Sequence, residues 1–348
     1  MNRAVRFAIL GVLISLGMAV YGQVSKPSKL KDSAPLKLVG NIALPGITGD
    51  FDHLALDTKR QRLLIAGEDH KTLEVIDLKA GKRLQSVTGM GTPHSLLYLP
   101  ASDEIYLTDG DEGTIRILQA SDYKQIGKIP LAAGADSVGY DAAAHTLFVV
   151  TGGKDVPLDY SVLSAVDLPG QKKAGDLRFE SAHVEAMALE HDGSNLFINV
   201  TDKNQIVVVN RKTMTRVKEW TVGAALENSP VAFDEPNRRL FIVCRKPGTL
   251  VVMNADTGSV IASLPAAGRS DDIVFDKVAH RIYVPGGEGY ISVYEQQDAD
   301  HYQVLAKVPS ASGAKTAIFI PELHRLFVAV SPGDTKATAR LLIFASAQ

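Results

Sequence analysis

One unit recurs seven times along this chain, and no other feature restricts its possible folds so strongly. The unit is a pair of short apolar runs separated by a polar or Pro-led turn. It reads Leu54-Ala55-Leu56-Asp57 then Arg62-Leu63-Leu64-Ile65 in the first copy, and Val231-Ala232-Phe233-Asp234 then Arg239-Leu240-Phe241-Ile242 in the fifth. Aligned on the residue that opens the turn, the copies start at 57, 99, 141, 190, 234, 276 and 320. The period of about 42 to 49 residues suits one four-stranded propeller blade. A third apolar run, such as Leu73-Glu74-Val75-Ile76-Asp77, and a fourth, such as Ile126-Gly127-Lys128-Ile129, complete the unit. Short β-branched and aromatic runs broken by Gly, Asp, Asn and Pro predict an all-β fold, here a seven-bladed β-propeller. Val184 to Leu189 would read as a helix in isolation, and its register with the other six copies makes it a strand.

The chain ends complement each other. The seventh copy stops three strands in, at Leu342-Ile343-Phe344, while Val39-Gly40-Asn41-Ile42 near the start has the spacing of a fourth strand. Pairing that N-terminal strand with the last blade is expected to close the ring and remove an unpaired edge. The expected division is a secretory signal over 1–22, a flexible lead-in over 23–34, and one propeller domain over 35–348. Arg3 and Arg6 precede an apolar run from Phe7 to Val20, too short to span a bilayer comfortably, with Tyr21-Gly22 at the cleavage point. An uncleaved membrane anchor is the alternative. The mature chain is expected to be soluble, monomeric, not inserted in a membrane, and periplasmic or secreted.

Cys244 is the single cysteine and lies in the run Leu240-Phe241-Ile242-Val243-Cys244. No intrachain disulfide, paired-Cys haem attachment or cysteine-rich zinc site is possible, so an exported domain must hold itself by its core. The net charge of -2 becomes about −4 once the two arginines of the signal are set aside. That balance lacks the overall basic field that drives nucleic-acid binding, which argues against a nucleic-acid partner.

Five residues before each turn, at the start of the strand nearest the axis, the copies read Asp52, His94, Asp136, Glu185, Ser229, Asp271 and Lys315. The next position adds His53 and Asp272, and His183 lies just outside the register. Equivalent positions in a closed ring face one another, so these residues are expected to form a polar, net acidic collar at the channel mouth. Two accounts remain open: strand starts that merely meet water, or a ligand or cation site. Metal–ligand distances of about 2 Å limit any one ion to two or three adjacent blades. The best candidate set is Asp52, His53, His94 and Asp136, although no compact metal motif supports it and no metal or other cofactor is assigned.

Loops between second and third strands bring Glu68, Asp69, His70, Asp109, Asp111, Glu112, Asp202, Lys203, Arg245, Lys246 and Glu288 to the same face. Asp109-Gly110-Asp111-Glu112-Gly113 matches a calcium loop in composition only, lacking the alternating ligand spacing and the distal Glu. His145, His280 and His324 occupy one equivalent turn on the opposite face, in blades too far apart to converge, and read as surface turn residues. Neither a Gly-x-Ser-x-Gly elbow nor a phosphate-cradling Gly-rich loop is present.

Units such as Met187-Ala188-Leu189-Glu190-His191-Asp192-Gly193-Ser194-Asn195-Leu196-Phe197-Ile198-Asn199-Val200, with Val75-Ile76-Asp77-Leu78-Lys79-Ala80-Gly81-Lys82, resemble the YncE-like family of exported propellers with YVTN-type repeats. The signature tetrapeptide is degenerate, as in Tyr106-Leu107-Thr108-Asp109 and Tyr283-Val284-Pro285-Gly286. The resemblance spans roughly residues 35–348 and implies a periplasmic or secreted binding scaffold; some relatives are associated with DNA. The expected function is therefore a non-catalytic scaffold binding a small molecule, peptide or protein through Asp52, His53, His94, Asp136, Glu185, Asp271, Asp272 and Lys315. The alternatives are a metal-assisted hydrolase or lyase of lactonase type, with His53 or His94 as base, and a DNA-binding propeller.

Overall fold

The computed structural model describes residues 34–332 and 337–347. The expected signal and all but the last residue of the expected lead-in lie outside them. The chain enters on β1 (Leu36–Ala43) and then forms six blades in order. Blade one is β2 (Leu54–Asp57), β3 (Arg62–Gly67), β4 (Thr72–Asp77) and β5 (Lys82–Val87); blade two is β6 (Pro93–Leu99), β7 (Glu104–Asp109), β8 (Thr114–Gln119) and β9 (Gln125–Pro130). Blade three is β10 (Val138–Asp141), β11 (Thr146–Gly152), β12 (Ser161–Asp167) and β13 (Lys172–Phe179); blade four is β14 (Val184–Leu189), β15 (Asn195–Val200), β16 (Gln205–Asn210) and β17 (Thr215–Thr221). Blade five is β18 (Leu226–Asp234), β19 (Arg239–Lys246), β20 (Gly248–Asn254) and β21 (Val260–Pro265). Blade six is β22 (Val274–Asp276), β23 (Arg281–Gly286), β24 (Glu288–Gln296) and β25 (Tyr302–Ser312). The last blade has β26 (Thr316–Ile320), β27 (Arg325–Val330) and β28 (Arg340–Ser346), and β1 supplies its fourth strand.

Each sheet is an antiparallel meander, and the first strands of neighbouring blades lie against one another, β26 against β2 included. This arrangement explains the repeated pattern of hydrophobicity. Second and third strands are sandwiched between neighbouring blades and are buried almost continuously, as in Leu63-Leu64-Ile65-Ala66 and Leu73-Glu74-Val75-Ile76. Fourth strands form the rim, so β5, Lys82-Arg83-Leu84-Gln85-Ser86-Val87, is largely exposed. The apolar core divides into seven clusters, one in each seam between adjacent blades. Cys244 is fully buried in the seam between blades four and five, and burial pushes its thiol up to about 12.

Closure of the ring is as expected from the two chain ends. β1 pairs with β28 from Leu36 opposite Ser346 to Ala43 opposite Arg340, with an irregularity at Gly40. Leu44 N–H donates to the Ala339 carbonyl at 2.8 Å, and Ala347 N–H donates to Pro35 at 3.1 Å. Ile42, Leu44, Ile47 and Phe51 then pack with Phe327 and Leu341 of the last blade and with Leu63, Ile65 and Ile76 of the first. Among the described residues no helix is long and apolar enough to cross a membrane.

Candidate functional site at the channel mouth

In blades one to five the collar residues sit where the innermost strand is bulged. Asp52 N–H donates to the Ala66 carbonyl and Ala66 N–H donates to the His53 carbonyl, so two residues of blade one oppose a single partner. Asp136 and Ser137 oppose Val150 in the same way in blade three. The register slips between Pro93 and Leu96, between Val184 and Met187, and between Asn228 and Val231, which bracket His94, Glu185 and Ser229. A bulge breaks the in–out alternation of a strand and re-aims a side chain. Here it lets a polar residue begin a strand whose later residues are apolar.

Asp52, His53, His94, Asp136, Glu185, Ser229, Asp271 and Lys315 line one cavity of about 290 Å³, to which all seven blades contribute. Asp272 lies beside this cavity, not in its lining. One of its oxygens contacts His53 Nδ1 at 3.0 Å and the other accepts from Ala317 N–H. His183 pairs with Glu185 and lies 3.0 Å from Lys154 Nζ. Of the loop residues, Glu68 and Arg245 reach the cavity. The others are occupied elsewhere. Asp109 is buried and accepts from Gly91, Thr92 and Arg116; Glu112 pairs with Arg116 and Lys128; Asp202 accepts from Ser181. The lining also contains Lys154, Asp155 and Arg269, which the repeat register does not mark. Lys154 and Asp155 come from the insertion in blade three, whose extra length signals a loop but not its destination. Arg269 precedes Asp271 by two residues, so polarity just ahead of the collar was the available signal.

The cavity adds charges of both signs to the expected collar. Six carboxylates line the cavity, but Lys154, Arg245, Arg269 and Lys315 line it too. The surroundings of the two histidines favour their charged form. Burial works against protonation of His94, yet Asp136 and Asp52 outweigh it and lift its pKa to about 10. His53 is likewise held well above its ordinary value, against burial, by Asp52 and Asp272. The mouth thus carries both signs of charge, unevenly arranged.

On one wall, acids and histidines alternate. His53 Nε2 lies 3.5 Å from Asp52, Asp52 Oδ2 lies 2.7 Å from His94 Nδ1, and Asp136 Oδ1 lies 3.8 Å from the same nitrogen. Burial raises the Asp52 pKa, but the His53 charge and the His94 hydrogen bond outweigh it and hold the carboxyl below its usual range. The Asp136 carboxylate receives no hydrogen bond among the described residues, and burial lifts its pKa to about 6. The Glu68 carboxylate has neither a hydrogen bond nor an ion pair among the described residues, and burial together with Asp52 lifts it to about 7. On the other wall, Asp271 gathers Arg245 and Lys315, the latter at 2.8 Å, and Lys315 also reaches Asp50 at 3.2 Å. The exposed Arg269 side chain has no hydrogen bond or ion pair among the described residues.

The opposite face accounts for the three turn histidines. His145, His280 and His324 adopt positive φ of 50°, 51° and 49°, and Gln61, Asp103 and Arg238 occupy the equivalent place in other blades at 52°, 59° and 55°. This left-handed position before the second strand tolerates His better than most side chains. Their recurrence therefore has a conformational cause.

No protein-family model matches the chain, and no curated protein matches it. Solved structures do resemble it in fold. One is a chain of the mitotic checkpoint complex, with TM-score 0.74 and 14% identity, covering 97% of this chain and 100% of that one. Another is the WD40 repeats of RRP9, with TM-score 0.71 and 10% identity, covering 90% and 98%. A third is hydrazine synthase of Kuenenia stuttgartiensis, with TM-score 0.69 and 11% identity, covering 82% and 94%. At such identities the likeness extends to the propeller fold alone.

Proposed function

We propose that this chain is an exported, non-catalytic binding propeller of the YncE-like, YVTN-repeat kind, holding a small polar ligand in its channel mouth. The observation that carries the reading is a set of charged side chains without hydrogen bonds among the described residues, gathered around one cavity. Glu68 and Asp136 on one side, and Arg269 on the other, face the same space of about 290 Å³. A few charged groups aimed into a shared cavity fix the orientation of a ligand there. A ligand bearing both a positive and a negative group would meet them. The cavity lies near the lower end of small-molecule sites, roughly 300 Å³, so it suits a molecule of amino-acid size better than a peptide or a protein surface.

The lactonase-type alternative is weaker, because Asp272 engages His53 and Asp52 engages His94, and both pairings favour the charged imidazole over the free base that reaction needs. DNA binding is weaker too, since a mouth of mixed sign offers no continuous basic track for phosphates. Export belongs to the same proposal, and protein recovered outside the cytoplasm should begin after Gly22.

Thermal denaturation of metal-stripped protein against a panel of small zwitterions and their singly charged analogues tests the ligand reading. A ligand at about 100 times its Kd adds about 2.7 kcal/mol of stability. A zwitterion should raise Tm where its single-charge analogues do not, and Arg269→Ala or Asp136→Asn should abolish the shift. A panel without effect would overturn the reading.

A further inference from the structure

The Asp136 carboxylate, which accepts no hydrogen bond among the described residues, does not stand alone. Asp52, His94 and Asp136 come from three successive blades, and one ligand atom from each can be chosen so that all lie within 4.8 Å of one another. His94 Nδ1 is central, 2.7 Å from Asp52 Oδ2 and 3.8 Å from Asp136 Oδ1. Two donors of a tetrahedral zinc site, each about 2 Å from the ion, lie about 3.3 Å apart. The two observed separations bracket that value, so small side-chain rotations would bring all three donors onto one ion.

The environment singles out this triad from the other acidic clusters. Asp109 is filled by three backbone N–H groups and by Arg116, and Asp271 is filled by Arg245 and Lys315. His53, part of the wider set of four, is held away by Asp272, which is itself pinned by Ala317 N–H. Asp136 by contrast keeps both oxygens without a hydrogen-bond donor among the described residues and lines the cavity. The inner-strand bulges that aim these side chains are part of the backbone framework, so the site is preformed by the fold.

We infer that Asp52, His94 and Asp136 bind one divalent transition-metal ion of the zinc class in the channel mouth. The inference deepens the reading of the mouth as a ligand site and rests on it. One imidazole with two carboxylates suits zinc better than calcium or magnesium, which take six or more oxygen donors. Three protein ligands leave at least one coordination position open to the cavity. Glu68 stays open to the ligand's positive group, and Arg245, Arg269 and Lys315 line the wall that faces its negative group.

Calorimetric titration of purified, chelator-treated full-length protein with zinc chloride, and separately with magnesium and calcium chloride, tests the site. One zinc per chain is expected, bound at least about tenfold tighter than either alkaline-earth ion. His94→Ala should weaken zinc at least roughly 100-fold, the upper end of what loss of an outer-shell partner costs, and Asp136→Asn at least roughly tenfold. His183→Ala, on a histidine of the same face outside the triad, should leave the affinity unchanged. If His94→Ala fails to fold, Asp136→Asn and X-ray absorption of the zinc-loaded protein, showing one nitrogen among oxygens, decide the matter. No zinc binding, binding indifferent to both variants, or equal affinity for calcium would each overturn the inference. A zwitterion that stabilises metal-stripped protein while zinc does not bind would sink the metal site alone. Zinc bound at the triad with no zwitterion response would sink only the ligand reading.

Discussion

The two faces of the ring use the same symmetry in opposite ways. On the turn face, carboxylates at the repeated anchor position are consumed locally: Asp57, Asp141 and Asp276 each accept from an N–H group of their own turn at 3.1 Å. Latches then tie neighbouring blades together. Arg60 of blade one grips Asp103 of blade two, Arg211 of blade four grips the nearly buried Asp141 of blade three, and Arg238 of blade five grips Glu190 of blade four. At the mouth, equivalent positions converge on the axis, so residues of blades far apart in sequence meet around one space. Asp272 of blade six thus touches His53 of blade one across the last blade. Charge on the turn face joins neighbours, whereas charge at the mouth surrounds a cavity. Repetition alone does not make a site; repetition around an axis does.

The contrast requires a closed ring, and opening it should have the largest effect. A chain beginning at residue 48 lacks β1 and with it the buried Leu36, Ile42 and Leu44. At about 1.5–3 kcal/mol for each buried side chain, the loss approaches the whole stability of a typical domain. Circular dichroism melting should show a collapse in Tm or no cooperative transition. A melt unchanged from that of a chain beginning at residue 34 would refute closure.

The next test sets one face against the other. Arg211→Ala leaves Asp141 buried without its partner and should cost about 3–5 kcal/mol in urea denaturation. Arg245→Ala at the mouth leaves Asp271 with Lys315 and access to the cavity, so its cost should stay near 1 kcal/mol. Equal costs would erase the distinction between latch and rim.

A smaller and more diagnostic effect concerns pH, followed as Tm in chelator-treated protein. His94 rises from an ordinary value of 6.5 to about 10 in the folded chain. Its contribution is therefore complete below pH 6.5 and is lost as pH rises through 10. Asp136, raised from 3.8 to about 6, also favours the fold less once it ionises above that range. On the turn face, Asp103 and Asp141 are lowered, so their contribution is present at neutral pH and is lost as acid protonates them. Asp52 shares that acid limb, which leaves the alkaline limb as the signature of the mouth. His94→Gln should flatten Tm between pH 6.5 and 10, and an unaltered alkaline limb would show that the histidine is not held as described. Each kcal/mol involved moves Tm by roughly 2–4 °C in a domain of this general size.

Much of this architecture was legible in residues alone. The turn anchors recur because each blade needs the same reversal, and Asp57, Asp141, Asp234 and Asp276 stand at the ends of β2, β10, β18 and β22. Gly40 and Ile42 announced a fourth strand in search of a blade, and β1 fills that place. The collar followed from register, since Asp52, His94, Asp136, Glu185, Asp271 and Lys315 all line the cavity. Lys154, Asp155 and Arg269 were not legible, because they lie outside the repeating frame and no register says where an inserted loop will lean.

Local patterning by itself determined the strands, the number of blades, the partner of the first strand and the polarity of the axial positions. These depend on alternation, turn chemistry and backbone pairing, all of which act between residues close in sequence or in an equivalent register. Only the folded ring decided which charges meet, which are neutralised and which are left facing an open cavity. Electrostatic environment depends on separations of a few ångströms between distant segments and on how much water is excluded there, and neither quantity is written in any single stretch of chain.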